Sequence, residues 1–249
     1  MLRLDFHRDA SSTTVLCLGA HCDDIEIGCG GTILKLLETH GRVICHWVVF
    51  SSDARRAAEA KQSADLFLAT AKSKHIEIDK FRQSFFPYIG AKLKERFERL
   101  KDEVSPDVVF TPYWRDMHQD HRLISELTWN TFRDHLILEY EIPKYDGDFG
   151  SPNVFVPLDR STCRAKIQYI LQCFPSQKAR QWFDSETFWS VLRLRGMESN
   201  AESRYAEAFY GRKLLLGSGD ASRSIVGGSS APAGTVTTRS TRTPSSRPR

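Results

Sequence analysis

Apolar and polar positions along the chain alternate between two periods. Short runs of β-branched and apolar residues are separated by longer stretches in which apolar residues recur every three to four positions. TVLCL, residues 14–18, opens the series and reads as a buried strand. Gly28, Gly30 and Gly31 follow and read as a loop, and TILKLLETH reads as a helix closed by Gly41, the position after a helix that glycine favours. RVICHWVVF, residues 42–50, is a second strand, ARRAAEAKQSADLFLATA a helix, and HIEI around Ile76 a third strand. Between Ala91 and Val104, the residues Leu93, Phe97, Leu100 and Val104 share one helical face, and Pro106 stops the helix. DVVFTPYW, residues 107–114, supplies a fourth strand, a helix runs from about Arg122 to Phe132, and HLILEYEI supplies a fifth strand.

Strands alternating with helices predict an α/β fold: a Rossmann-like, mostly parallel sheet with helices on both faces. In the strand order 3-2-1-4-5 the first and fourth strands are neighbours, and the topological switch point lies between their C-terminal ends. Past Pro143, KYDGDFGSPN reads as a loop, NVFVPL as a strand and DRSTCRAKIQYILQCF as an amphipathic helix. WSVLRLRG comes next, and RYAEAF returns to the sheet or its rim. Residues 217–249 are rich in Ser, Thr, Gly and Arg and hold no aromatic residue, too little apolar surface to offset the entropy of ordering. The expectation is a folded domain over residues 1–216 and a disordered tail over 217–249.

Charge changes this picture little. The formal net charge is +4, but residues 217–249 carry five arginines against one acid, so the first 216 residues balance 30 basic against 30 acidic side chains. A basic face for nucleic acid is not supported. With 249 residues the chain can bury a core without disulfides, and its six cysteines form no CxxC pair, so they read as free thiols of a reducing cytosol. MLRLDFHRDA lacks the apolar stretch of a secretory leader, and no window approaches the length of a membrane span. The expected location is cytoplasmic.

The candidate chemistry sits where two of these strands end. LCLGAHCDDIEIGCGGTI, residues 16–33, places the adjacent acids Asp23 and Asp24 beside His21, and RDMHQDHR places His118, Asp120 and His121 directly after the fourth strand. Adjacent carboxylates repel unless a cation or a shared proton intervenes. Two histidines and one carboxylate are the ligand set of a catalytic zinc with an open position. If His21, Asp24 and His121 hold the metal, Asp23 remains as a base for its water, and a protonated His118 as the partner of the developing oxyanion or leaving group. Asp120 then orients an imidazole. Such a set would hydrolyse a polarised carbonyl, an amide or ester.

Blander explanations exist for each residue alone. Asp23 and Asp24 are apt helix caps near Ile25, and Asp120 suits the N-cap of the helix starting near His121. Gly28, Gly30 and Gly31 match no GxGxxG register, and the spacing of Cys22 and Cys29 matches no common zinc knuckle. His7, His40, His46, His75 and His135 are scattered and read as surface or satisfied core groups. Two rival classes stay open: a non-haem iron oxygenase, which also uses two histidines and a carboxylate, and a non-enzymatic carbohydrate- or nucleotide-binding module. Among possible substrate ligands Arg56 comes first, ahead of Arg55, Arg115 and Arg122, and Tyr113 and Trp114 are candidates to stack on a sugar.

GAHCDD and HQDH resemble the paired AHPDD and HPDH signatures of the PIG-L or LmbE-like zinc-dependent de-N-acetylases. The glycines after the first motif, RAAE at residues 56–59, Ser176 and Gln177 of FPSQ, and the closing YAEAF resemble the same pattern, which spans roughly residues 13–210. The resemblance implies zinc, with Fe2+ as another possible metal, held by His21, Asp24 and His121. It also implies Asp23 as general base and His118 as acid or oxyanion partner with Asp120 behind it. The implied substrate is a small N-acetylglucosamine-type sugar or its conjugate. Cys22 and Gln119 stand where the family's motifs carry proline, and Asp116 where some members carry tyrosine.

Overall fold

A computed structural model describes residues 12–40 and 42–215. The expectations for His7, for Gly41 as the residue closing the first helix, and for the 217–249 tail lie outside the described residues. The strands are β1 (Thr13–Gly19), β2 (Val43–Val49), β3 (Ser73–Ile78), β4 (Val108–Pro112), β5 (Leu136–Tyr140), β6 (Val154–Leu158) and β7 (Tyr205–Gly211). The helices are α1 (Asp24–Thr39), α2 (Ala54–Phe67), α3 (Gly90–Glu103), α4 (Gln119–Thr131), α5 (Arg160–Cys173) and α6 (Ser185–Glu198). All strands join one sheet in the order β3-β2-β1-β4-β5-β7-β6. The first five are parallel in the expected order, while β7 pairs antiparallel with both β5 and β6. RYAEAF is therefore an internal strand of the sheet. A parallel sheet flanked by helices is not the all-β barrel expected of a non-haem iron oxygenase.

Strand alternation divides the core between the two faces. Val15 and Cys17 of β1 pack with Ile25, Phe67 and Ile167, from α1, α2 and α5. Leu16 and Leu18 point the other way, to Leu93, Phe97 and Leu100 of α3 and Ile124 of α4. All six cysteines are buried and free.

Gly28, Gly30 and Gly31 are not a loop: they lie inside α1, which begins at Asp24. Glycine costs an interior helical position about 1 kcal/mol, and close packing overrides that propensity here. A Cβ on Gly28 would lie 2.1 Å from the ring of Tyr140, and one on Gly31 2.5 Å from Leu158. A buried ion pair grips the same helix. Lys166 Nζ donates to the Ile27 carbonyl (2.6 Å) and to Glu207 (2.5 Å), and Glu207 accepts the peptide N–H groups of Gly31 (2.8 Å) and Thr32 (2.6 Å). These contacts fix α1, and with it the acid at its first turn, against the sheet.

Helix α4 begins three residues earlier than the sequence predicted, because His118 acts as its N-cap: the ring Nδ1 accepts the Asp120 N–H at 3.2 Å. Asp120 and His121 thus belong to the first turn of a regular helix.

Candidate metal centre and active site

β1 and β4 pair directly, with Val15 opposite Val108 and Cys17 opposite Phe110. The two histidine-and-acid segments therefore leave the sheet side by side. His21 Nδ1 and His121 Nε2 lie 3.1 Å apart, and Asp24 Oδ2 lies 3.3 Å from the His121 nitrogen and 3.6 Å from the His21 nitrogen. Metal bonds of 2.0–2.1 Å in a tetrahedral site give ligand–ligand edges of about 3.4 Å, and this triangle matches. The other nitrogen of each ring faces a carboxylate: His21 Nε2 lies 3.2 Å from Asp120 Oδ2 and His121 Nδ1 2.8 Å from Asp116 Oδ2. Those contacts place the ring protons on the carboxylate side. In the neutral rings two lone pairs then face each other across 3.1 Å, an arrangement relieved by a metal ion or a proton between them: burial depresses the His121 pKa, but Asp24 and Asp116 outweigh it and raise it to about 10. The donor set fits zinc, and Fe2+ also accepts two imidazoles and a carboxylate.

The adjacent acids differ in their contacts. Asp23 occupies the N-cap of α1, yet its side chain makes no capping hydrogen bond; instead its Oδ1 accepts from the Arg56 guanidinium at 2.7 Å. Capping therefore does not account for this carboxylate. Burial, reinforced by Asp24, raises the Asp23 pKa against the pull of Arg56. For Asp24 burial acts upward too, but His121 and His21 outweigh it and hold the group well below the usual carboxylate range. Asp24 is thus a firm anion, and Asp23 a carboxylate readier to take a proton.

Arg56, the expected substrate ligand, projects from the first turn of α2, where the Asp53 side chain caps the Arg56 N–H at 2.8 Å. Its guanidinium serves Asp23. Nearby, Glu59 accepts the Ser176 N–H at 3.0 Å, so RAAE and FPSQ meet in the fold.

The second segment requires two corrections. The ring nitrogens of His21, His118 and His121 converge within 4.8 Å, but His118 Nδ1 is occupied as an acceptor of the Asp120 N–H. A neutral His118 must then carry its proton on Nε2 and act as a donor rather than a ligand. Burial, with His121 and His21 beside it, pushes His118 down to about 4, so the ring is neutral at pH 7 and not protonated as expected. A metal in place of the protons on those rings acts in the same direction. Asp120 stands behind His21 rather than His118; its carboxylate also accepts the N–H groups of Ser84 (2.6 Å) and Phe86 (3.1 Å). Ser84 adopts a left-handed backbone (φ 64°), a strained conformation of the kind that collects at functional sites.

Sequence reasoning did not identify Asp116 as the partner of His121; an acid five residues before that histidine was the available signal. Cys22 and Gln119 support loops: the buried Cys22 thiol donates to the Ser51 carbonyl, and Gln119 Nε2 to the Ser84 carbonyl at 2.5 Å. Tyr113 is already stacked on Tyr210, 3.7 Å between centroids, whereas Trp114 is 41% exposed with Arg115 and Arg212 against its ring. Arg55 is exposed beside Glu59, and Arg122 binds the carbonyls of Asp116 and Met117.

A family model described as PIG-L, GlcNAc-PI de-N-acetylase, matches residues 16–132, the stretch that contains both metal-site segments. That match, with the fold, supports the PIG-L/LmbE-like family for this chain. Among solved structures, the chain is similar to the N,N'-diacetylchitobiose deacetylase from Pyrococcus horikoshii, with 22% identity, TM-score 0.60, and coverage of 81% of this chain and 84% of that one. It is also similar to the zinc-inhibited form of teicoplanin deacetylase Orf2 (13% identity, TM-score 0.60, 80% and 97% covered). A third similar structure is GalB, the 4-carboxy-2-hydroxymuconate hydratase from Pseudomonas putida KT2440 (16% identity, TM-score 0.62, 82% and 98% covered). These likenesses show the fold, and a fold that serves deacetylases and a hydratase does not by itself select the reaction. Among the described residues no helix is long and apolar enough to cross a membrane.

Proposed function

We propose that this protein is a metal-dependent N-deacetylase of the PIG-L type that hydrolyses the acetamide of an N-acetylated amino sugar or its conjugate. The observation that carries the proposal is the triangle of His21 Nδ1, His121 Nε2 and Asp24 Oδ2, with both remaining ring nitrogens turned to carboxylates. His21, Asp24 and His121 would hold zinc, which would supply Lewis-acid activation of the amide carbonyl and of the attacking water. Everything else is supplied by the chain. Asp120 and Asp116 keep His21 and His121 in the metal-binding tautomer. Asp23, steadied by Arg56, accepts a proton from the attacking water at its carboxylate and returns it to the departing amine nitrogen, so one group serves as base and then acid. His118 donates its Nε2–H to the carbonyl oxygen as negative charge develops. Arg56 would also offer the exposed part of its guanidinium to a substrate oxygen.

The test is a screen of N-acetylated amino sugars and their conjugates with released acetate as the readout, run with zinc and with chelator. Acetate release that chelator abolishes is expected. Zinc-loaded protein that releases no acetate from any of them would refute the proposal.

A further inference from the structure

The turn after β5, KYDGD at residues 144–148, reads in the sequence as an ordinary loop, but the side chains of Lys144 and Asp148 are turned inward onto the segment before α4. Lys144 Nζ donates to Asp116 Oδ2 (2.9 Å), to both carboxylate oxygens of Asp148 (2.8 and 2.6 Å) and to the Ile142 carbonyl (3.3 Å). Asp148 Oδ2 in turn accepts the Met117 N–H at 2.7 Å. Asp116 has its own two tasks: Oδ1 accepts the His118 N–H at 2.7 Å, and Oδ2, the atom that Lys144 touches, faces His121 Nδ1 at 2.8 Å. The side chains of Lys144, Asp116 and Asp148 are only 11%, 2% and 8% exposed. The 144–148 turn thus clips residues 116–118 at a side chain and at the backbone.

We infer that Lys144 is a positioning residue of the metal centre: seated between Asp116 and Asp148, it holds the Asp116 carboxylate on His121 and so keeps His121 Nε2 aimed at His21 and Asp24. The inference rests on the proposed function only in taking His121 as a metal ligand. Lys144 touches none of the three proposed ligands itself, and its effect passes through Asp116. Without its ammonium group, two buried carboxylates would share one space with no cation between them. Asp116 would withdraw from Asp148, and the His121 ring would lose its fixed partner. An arginine can span the same two carboxylates; a methionine fills the volume and cannot hold them.

The experiment titrates Co2+ into the metal-free full chain and follows the visible absorption of the bound ion, which reports ligand geometry without any substrate. Lys144→Met should weaken Co2+ binding about 10- to 100-fold, alter the absorption bands and lower kcat more than it changes KM, while Lys144→Arg restores affinity to within about threefold of the parent. Should Lys144→Met not fold, Lys144→Gln takes its place with the same expected loss. A variant with a lowered melting temperature but parental Co2+ affinity and spectrum would overturn the inference, because Lys144 would then be structural only. Failure of the parent to release acetate would refute the deacetylase proposal and leave this inference standing. A parent that binds no Co2+ would overturn both.

Discussion

Replacing Asp23 by Asn separates the base from the ligands. The substitution preserves shape and removes one charge from a carboxylate whose contact is Arg56 at 2.7 Å and which is not part of the ligand triangle. Loss of a general base costs about 10²- to 10⁴-fold in rate, a barrier increase of roughly 3–5 kcal/mol. Stability should hardly move. Burial raises the Asp23 pKa despite Arg56, so the fold disfavours the ionised form; a neutral amide removes that liability while leaving Arg56 without its anion. The two effects oppose, and the net change should stay within about 1 kcal/mol. The assay compares kcat for acetate release, bound metal per chain and melting temperature in parent and variant. The expected result is a crippled enzyme with parental metal and a parental melting temperature. Metal loss in Asp23→Asn would make Asp23 a ligand, and a rate within tenfold of the parent would end its role as base.

His118→Ala should retain metal and lose about 10²- to 10³-fold in kcat; since the ring stays neutral above about pH 4, the loss should be equal at pH 6 and pH 8, whereas a loss confined to pH 6 would show that the protonated ring acts. Gly28→Ala places a Cβ 2.1 Å from the buried Tyr140 ring, so overpacking should cost about 3 kcal/mol and shift the urea midpoint down by about 1 M; a midpoint within experimental error of the parent would mean that α1 is not pressed onto β5.

The parts of this molecule that were legible in the sequence are those governed by local pattern. Apolar runs such as TVLCL and RVICHWVVF marked strands, the face of Leu93, Phe97, Leu100 and Val104 marked α3, and the alternation of the two implied the 3-2-1-4-5 order that the sheet contains. The pairing of β1 with β4 then explains why GAHCDD and HQDH converge. What stayed hidden depends on tertiary contacts. Glycine propensity argued for a loop at Gly28, and only the proximity of Tyr140 shows why a helix needs glycine there. Nothing in the spelling of HQDH says which imidazole Asp120 faces: helix geometry turns it to His21, a hundred residues away, and leaves His121 to Asp116. The neutrality of His118 follows from burial beside two other imidazoles, a property of the assembled site. Lys144 and Asp148 sat in a turn whose composition suggested solvent, whereas their side chains are largely covered by the residues before α4.

The central claim is that His21, Asp24 and His121 together hold a metal ion. Elemental analysis of the full chain purified without chelator, beside its His121→Ala variant, tests it most directly. The account predicts close to one zinc or iron per chain in the parent and none in the variant. A parent without metal, or a variant that keeps it, would contradict the account.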